Sequence, residues 1–255
     1  MALLEVKSVS KRFGGVQALK GMTLTVERGQ IVGLIGPNGA GKTSFFNCIT
    51  GLMSIDDGEI LFDDATQILH GLPSHRILEK GVARTFQNLR IFRSMTLLEN
   101  VAVGFHARTH SGLWDAFART KRFHSEEKWI LQKSLELLRF IGLEALGNEL
   151  AGNLPYGSQK RLEIARALAS DPKLLLLDEP VAGMNPVEKD QLAGLVRRIR
   201  ERGVAILLIE HDMKVVMPLS EKIVVMDEGE KIAEGLPEKI KNDPRVIRAY
   251  LGEDS

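Results

Sequence analysis

Apolar and polar residues alternate near the start of the chain. Met22, Leu24 and Val26 are separated by polar residues, which is the period of a half-buried β-strand. A mostly apolar run over residues 30–35 then predicts a buried strand. A glycine-rich turn and a short apolar helix ending near Gly51 follow it directly. The pattern predicts an N-terminal antiparallel β part and, after it, a strand–turn–helix unit.

The second half of the chain alternates between short apolar runs and segments with helical spacing. The runs cover residues 174–177, 204–209 and 223–226. Strands that alternate with helices are typical of a parallel sheet with helices on its faces. The predicted fold class is therefore α/β, with a mostly parallel sheet.

Two helical segments stand out, one before these runs and one between the first two of them. Residues 129–141 have apolar side chains at helical spacing, and no alternating strand pattern appears from about residue 88 to residue 153. This part is predicted to be a helical insertion. Farther on, Asn185 suits a helix N-cap, with Pro186 at the first helical position and Glu188 three residues after the cap.

Composition narrows the class of protein. Hydrophobic residues make up 44% of the 255 residues and charged residues 26%, as in ordinary globular proteins. The net charge of +1 argues against a nucleic-acid partner. A single cysteine, Cys48, fits a reducing compartment. The pattern of the first residues predicts no secretory signal, and no apolar run approaches the roughly 20 residues of a membrane span. These features predict a cytoplasmic location.

A glycine-rich segment carries the strongest chemical signal. Residues 36–43, GPNGAGKT, match G-x-x-x-x-G-K-[ST] in full. In this motif backbone N–H groups surround phosphate oxygens, the lysine reaches the β- and γ-phosphates, and the hydroxyl binds Mg²⁺. A turn without ligand is the alternative, but the flanking strand and helix favour phosphate binding. The predicted phosphate-binding residues are Gly36, Pro37, Asn38, Gly39, Ala40, Gly41, Lys42, Thr43 and Ser44.

Two carboxylates end the apolar run 174–177. Asp178 is predicted to hold Mg²⁺, and Glu179 to polarise the attacking water. Neighbours on an ideal strand point to opposite faces, so the two are expected to have separate roles. The alternative is that both are solvent-exposed acids at a strand end. The upstream glycine-rich segment 36–43, a P-loop motif, makes this alternative less favoured.

Two further polar residues are candidates because of their context. His211 follows the apolar run 204–209 and can donate a hydrogen bond to a γ-phosphate oxygen, although a lone histidine is more often structural. Gln87, in the segment RTFQ, can contact the water shell of Mg²⁺ and is a weak signal alone. Asp178, Thr43 and Gln87 thus form the predicted Mg²⁺ set.

Together these motifs resemble the ATP-binding-cassette ATPases over nearly the whole chain. The resemblance implies that ATP is the substrate and Mg²⁺ the cofactor, and that Gln87, Glu179 and His211 are catalytic residues. It implies adenine stacking on Phe13, for which burial in the core is an equal alternative. It also implies a division into a nucleotide-binding core, residues 1–87 and 171–255, and a helical subdomain, residues 88–170.

Several short segments resemble one branch of that family more closely. FNCITG, RTFQ, IEHDMK and the ending RAYLGE are similar to ATPases of branched-chain amino-acid importers, and to the longer of the two ATPases in that system. The alternatives are an ATPase serving urea transport or lipopolysaccharide export, a soluble ATPase of repair or translation, and a regulatory nucleotide-binding module without turnover.

The family signature LSGGQ is altered in this chain. Leu154, Tyr156, Gly157 and Ser158 occupy the predicted signature site, but Pro155 lacks both a serine hydroxyl and a backbone N–H. The helix that follows can still present N–H groups to phosphate. Whether Pro155 lowers turnover is left open by the sequence.

The resemblance also implies partners at the cytoplasmic face of the inner membrane. These are two transmembrane permease subunits, a second ATPase in a head-to-tail dimer, identical or related, and indirectly an extracytoplasmic substrate-binding protein. Apolar residues after Gln87 suit a groove for a partner helix, with core burial an equal alternative: Leu89, Ile91, Phe92 and Met95. The basic stretch 106–125 is interpreted as solvated surface, the alternative being contact with lipid or permease.

Overall fold

An antiparallel sheet forms from the first part of the chain. A computed structural model describes residues 1–108 and 121–251. In the first sheet the strand order is β2-β1-β4-β5, and every pairing is antiparallel. The alternation near residue 24 is as predicted, because Met22, Leu24 and Val26 are buried. The strands are β1 (Ala2–Phe13), β2 (Val16–Glu27), β4 (Asp57–Phe62) and β5 (Gln67–Ile68).

A second, mostly parallel sheet confirms the predicted fold class. Its order is β10-β9-β3-β8-β7-β6, with parallel pairing throughout except for β10, which runs antiparallel to β9. Its strands are β3 (Ile31–Ile35), β6 (Val82–Arg84), β7 (Leu174–Asp178), β8 (Ala205–Ile209), β9 (Lys222–Asp227) and β10 (Glu230–Gly235).

Helices cover the parallel sheet and fill the middle of the chain. The helix after Asn185 has the predicted capping box, in which Asn185 and Glu188 exchange hydrogen bonds of 3.0 Å with each other's backbone N–H. The helices are α1 (Lys42–Ile49), α2 (Ser74–Glu79), α3 (Leu97–Gly104), α4 (Lys121–Phe140), α5 (Tyr156–Leu168), α6 (Pro186–Glu201), α7 (Met213–Leu219), α8 (Pro237–Lys241) and α9 (Pro244–Leu251).

The parallel strands are buried on both faces, which explains why their sequences are continuously apolar. Alternate residues of β7 separate into two cores: Leu174 and Leu176 pack toward the antiparallel sheet and α1, whereas Leu175 and Leu177 pack toward α3, α4 and α6. The sheet is therefore held rigidly between two layers, and the ends of its strands provide a fixed platform for side chains.

The middle of the chain is helical where the structure describes it. From residue 88 to 170, the described residues form α3, α4, α5 and short 3₁₀ turns, with one isolated antiparallel bridge between Thr96 and Leu150. Residues 109–120, most of the basic stretch, lie outside the described residues. Every helix within residues 1–108 and 121–251 is too short or too polar to span a bilayer.

Candidate functional site

The glycine-rich loop joins β3 to α1 and closes around the amine of Lys42. Gly41 has φ +98°, and a Cβ on it would lie 2.5 Å from the carbonyl oxygen of Ala18, so only glycine fits. The Lys42 amine donates hydrogen bonds of 2.8 Å to the carbonyl oxygens of Gly36 and Pro37. Burial lowers the pKa of Lys42, and the carboxylates of Glu179 and Asp178 oppose part of that change. The amine is thus pre-positioned at the loop.

The two carboxylates after the apolar run differ more than the sequence predicts. Asp178 is the last residue of β7, but Glu179 lies outside the strand with φ +44°. A turn of the backbone therefore separates them, rather than the alternation of an ideal strand. A left-handed conformation at a non-glycine residue costs about 1–3 kcal/mol and is concentrated at functional sites. The Glu179 N–H donates to the carbonyl of Ile209 at 3.0 Å, which fixes the turn against β8.

Glu179 is the meeting point of the predicted catalytic residues. Its carboxylate accepts a hydrogen bond from the Gln87 amide at 3.0 Å, and its other oxygen lies 3.7 Å from Nδ1 of His211. Three segments far apart in sequence thus converge at the end of the parallel sheet. The cavity beside them, of about 320 Å³, is lined by Asn38, Gly39, Gly41, Lys42, Thr43, Ser44, Gln87 and Glu179.

Asp178 has a partner that the sequence analysis missed. Arg84, whose side chain is almost fully buried, forms an ion pair of 2.7 Å with Asp178 and donates a hydrogen bond of 2.7 Å to the side chain of Asn47. The register explains the pair: Arg84 lies opposite Leu176, and Asp178 is two residues farther along the same face of β7. A charged residue at the end of the short apolar strand β6 was the available signal.

A second missed residue is the fully buried Glu210. Its carboxylate accepts hydrogen bonds from the backbone N–H groups of Val181 at 3.1 Å, His211 at 3.0 Å and Asp212 at 3.3 Å. Burial raises the pKa of Glu210, and these three hydrogen bonds lower it again in part. Glu210 therefore ties the segment after Glu179 to the segment carrying His211.

The oxygen atoms around this cavity suit Mg²⁺. Thr43 and Gln87 line it with a hydroxyl and a carbamoyl oxygen, and Asp178 brings a carboxylate to the neighbouring strand end. Mg²⁺ prefers such hard oxygen ligands and usually retains waters, so a complete protein cage is unnecessary. Among the described residues, no group of three or more acidic, histidine or cysteine side chains is arranged to hold a metal ion by itself.

The altered signature lies at the start of α5, outside that cavity. Pro155 is the N-cap of α5 and provides no side-chain cap, so the hydroxyl absent from the sequence is not replaced locally. A Cβ on Gly157 would lie 2.7 Å from a carboxylate oxygen of Glu188, so a side chain there would displace the Glu188 carboxylate. Leu154 is buried, whereas Tyr156 is exposed. None of these residues lines the P-loop cavity of this chain.

Phe13 is on the surface. Its side chain is 45% exposed at the end of β1, so it is not a core residue, which was the alternative. The Lys11 amine lies 5.8 Å from the centre of its ring. An exposed ring beside a cation is compatible with stacking on a base, and the P-loop cavity itself does not include it.

The apolar residues that follow Gln87 lie at or near the surface, and Ile91 also packs against the core. Phe92 is 44% exposed, and Leu89, Ile91 and Met95 are only partly buried. Ile91 and Phe92 border a surface cavity of about 610 Å³, together with Arg90 and the α5 residue Arg166.

Comparison with known proteins gives consistent matches. The profile of a family described as ABC transporter matches residues 19–182, and that of a family described as branched-chain amino acid ATP-binding cassette transporter matches residues 230–255. The chain is 46% identical to the high-affinity branched-chain amino acid transport ATP-binding proteins BraF of Pseudomonas aeruginosa and LivG of Escherichia coli K12. Each alignment covers 98% of both chains.

Solved structures share the fold over nearly the full length. A nucleotide-free ATP-binding cassette from an ABC transporter has a TM-score of 0.86 and 33% identity, and the alignment covers 99% of this chain and 100% of the other. The ADP conformation of MJ1267, an ATP-binding cassette of an ABC transporter, has a TM-score of 0.85 and 31% identity at the same coverage.

Proposed function

The chain belongs to the ABC transporter ATP-binding family, and from that premise we propose that it hydrolyses ATP to drive an importer of branched-chain amino acids. The substrate class is supported by the match of residues 230–255 and by the 46% identity to BraF and LivG. The hydrolytic role is supported above all by the contact of Glu179 with Gln87 and its proximity to His211.

Each side chain has a separate task in the proposed reaction. Lys42 binds the β- and γ-phosphates, and the N–H groups of the loop surround their oxygens. Glu179 accepts a hydrogen bond from the attacking water and places it in line with the γ-phosphate. His211 donates a hydrogen bond to a γ-phosphate oxygen. Thr43, Asp178 and Gln87 would hold Mg²⁺, which would supply positive charge to the phosphate oxygens.

A second ATPase subunit completes the site in this proposal. The P-loop cavity is small and open, and the signature residues of the same chain lie outside it. ATP is therefore sandwiched between the P-loop of one subunit and the signature of another, with residues 1–87 and 171–255 as the binding core and 88–170 as the signature subdomain. In a dimer of unlike chains, Pro155 faces the partner's nucleotide, and the two sites differ in their hydrogen-bond donors.

The groove beside Gln87 is the proposed contact with a permease. The backbone of Phe92 is held in place by the buried side chain of Asn100, which accepts a hydrogen bond from the Phe92 N–H and donates one to the Phe92 carbonyl, both 2.9 Å long. The aromatic side chain is thereby held exposed at the rim, where an apolar helix can pack on it. Through such contacts the chain is proposed to lie peripherally on the cytoplasmic face of the inner membrane, with a substrate-binding protein on the opposite side.

Transport by a reconstituted complex tests the proposal directly. The chain is co-expressed with candidate permease subunits and a candidate second ATPase subunit. The complex is placed in vesicles containing ATP, and uptake of radiolabelled leucine is compared with uptake of urea. ATP-dependent leucine uptake that disappears without this chain is the expected result. Hydrolysis coupled to urea, or export of lipopolysaccharide, would reject the substrate class, and nucleotide binding without turnover would indicate a regulatory module.

Replacing Phe13 by alanine tests adenine stacking. The nucleotide affinity is expected to fall by about 1–3 kcal/mol, because base–aromatic stacking is worth that amount in single-stranded nucleic-acid sites. ATP and GTP should be affected alike, since every base has an aromatic face. Calorimetry measures both affinities, and Val16→Ala, another exposed apolar residue, is the control. Unchanged affinity would exclude the stacking role.

A further inference from the structure

A buried ion pair on α5 contacts the segment that carries Gln87. Lys160 and Glu163 lie one helical turn apart, with 3.0 Å between the amine and the carboxylate, and their side chains are 0% and 2% exposed. Charged side chains are almost never buried to this degree unless they are paired and hydrogen-bonded. The pair takes no part in the reaction proposed above, so its burial needs another explanation.

Both charges are directed at the backbone of the same residue, Phe86. The Lys160 amine donates a hydrogen bond of 2.5 Å to the carbonyl oxygen of Phe86, the group bonded directly to the nitrogen of Gln87. Glu163 accepts from the Phe86 N–H at 3.4 Å and from the Arg90 N–H at 3.3 Å. Both polar groups of Phe86 are therefore held from α5, and the backbone is fixed on both sides of Gln87.

We propose that Lys160 and Glu163 are positioning residues that set the place of Gln87 against Glu179. The inference rests on the proposed role of Glu179 in hydrolysis. The contacts form a continuous chain. The ion pair binds the backbone of Phe86, Gln87 is the next residue, and the Gln87 amide is 3.0 Å from the Glu179 carboxylate. Helix α5 begins at the signature residues and contains Lys160 and Glu163. A shift of that helix therefore changes the distance between Gln87 and the Glu179 carboxylate.

Exchanging the pair for apolar residues removes the contact with least damage to the fold. Removing one partner alone would leave the other charge buried and unpaired, whereas a well-packed apolar replacement of both is often neutral for stability. The test variant is therefore Lys160→Met/Glu163→Leu. Its matched control is Lys133→Met/Glu136→Leu on α4, which removes an ion pair of the same spacing, 2.6 Å long and largely exposed.

Turnover and amide hydrogen exchange are measured on the full chain. The test variant is expected to lower kcat by about 10²-fold, the effect of roughly 1 Å of misplacement, with the KM for ATP nearly unchanged. The Phe86 and Arg90 amides should exchange roughly tenfold faster or more, as after loss of a charged hydrogen bond. In a Gln87→Ala background the same double substitution should lower kcat no further. The control should change none of these values.

Several results would overturn the inference. One is a test variant with the kcat of the native protein, and another is a test variant whose Phe86 and Arg90 amides exchange at the native rate. The third is a further fall in kcat of about 10²-fold when the double substitution is made in the Gln87→Ala background. If the test variant does not fold, the native protein decides: unprotected Phe86 and Arg90 amides would reject the contact. If the native chain itself does not hydrolyse ATP, the proposed function is wrong. The exchange measurements still test whether the ion pair holds the Phe86 and Arg90 amides.

Discussion

Replacing Glu179 by glutamine is expected to slow ATP hydrolysis by about 10²–10⁴-fold, the usual contribution of a positioned general base. Glutamine has nearly the same shape, and its carbonyl oxygen can still accept the hydrogen bond that Gln87 donates at 3.0 Å. It cannot take a proton from water. ATP binding, which depends on the P-loop, should remain, so the variant should accumulate as an ATP-bound dimer. Steady-state phosphate release and size-exclusion chromatography with ATP measure the two effects.

A matched control separates this effect from a general loss of negative charge. Glu221 lies on the surface in an ion pair of 2.8 Å with Arg200, and neither residue lines the cavity. Exposed pairs contribute only about 0–1 kcal/mol, so Glu221→Gln should leave turnover unaltered. Near-native turnover in Glu179→Gln would show that another group activates the water, and His211, 3.7 Å from Glu179, would be the next residue to replace.

The sequence was sufficient to predict the fold class and the strand–turn–helix unit that contains residues 36–43. The P-loop depends on eight consecutive residues between a strand and a helix, so local spacing determines it. The convergence of Gln87, Glu179 and His211 follows from parallel strands whose carboxyl ends share one edge of a sheet. The turn at Glu179 was not predicted, because its backbone is strained and the neighbouring Ile209 carbonyl of β8 holds it there.

The partners of the buried charges could not be predicted from the sequence pattern. Arg84 and Asp178 meet because β6 and β7 pair with Arg84 opposite Leu176, a register that sequence alone leaves undetermined. Lys160 and Glu163 have the i, i+3 spacing of an ordinary surface pair, and only packing of α5 against the Gln87 segment buries them. Burial of Phe13 in the core, the alternative to adenine stacking, was wrong, because the position of a residue in the sheet decides whether its side chain is exposed.

Replacing Lys42 by alanine is expected to weaken ATP binding by roughly 10²–10⁴-fold, because two charged hydrogen bonds of about 1.5–3 kcal/mol each are lost. The amine now bonds the carbonyls of Gly36 and Pro37 at 2.8 Å, and it can turn from them to the phosphates. Calorimetry with ATP measures the affinity, and thermal unfolding checks the fold. Lys173→Ala, which removes an exposed amine paired with Asp63, is the control. Native affinity in a folded Lys42→Ala protein would refute phosphate binding by this lysine.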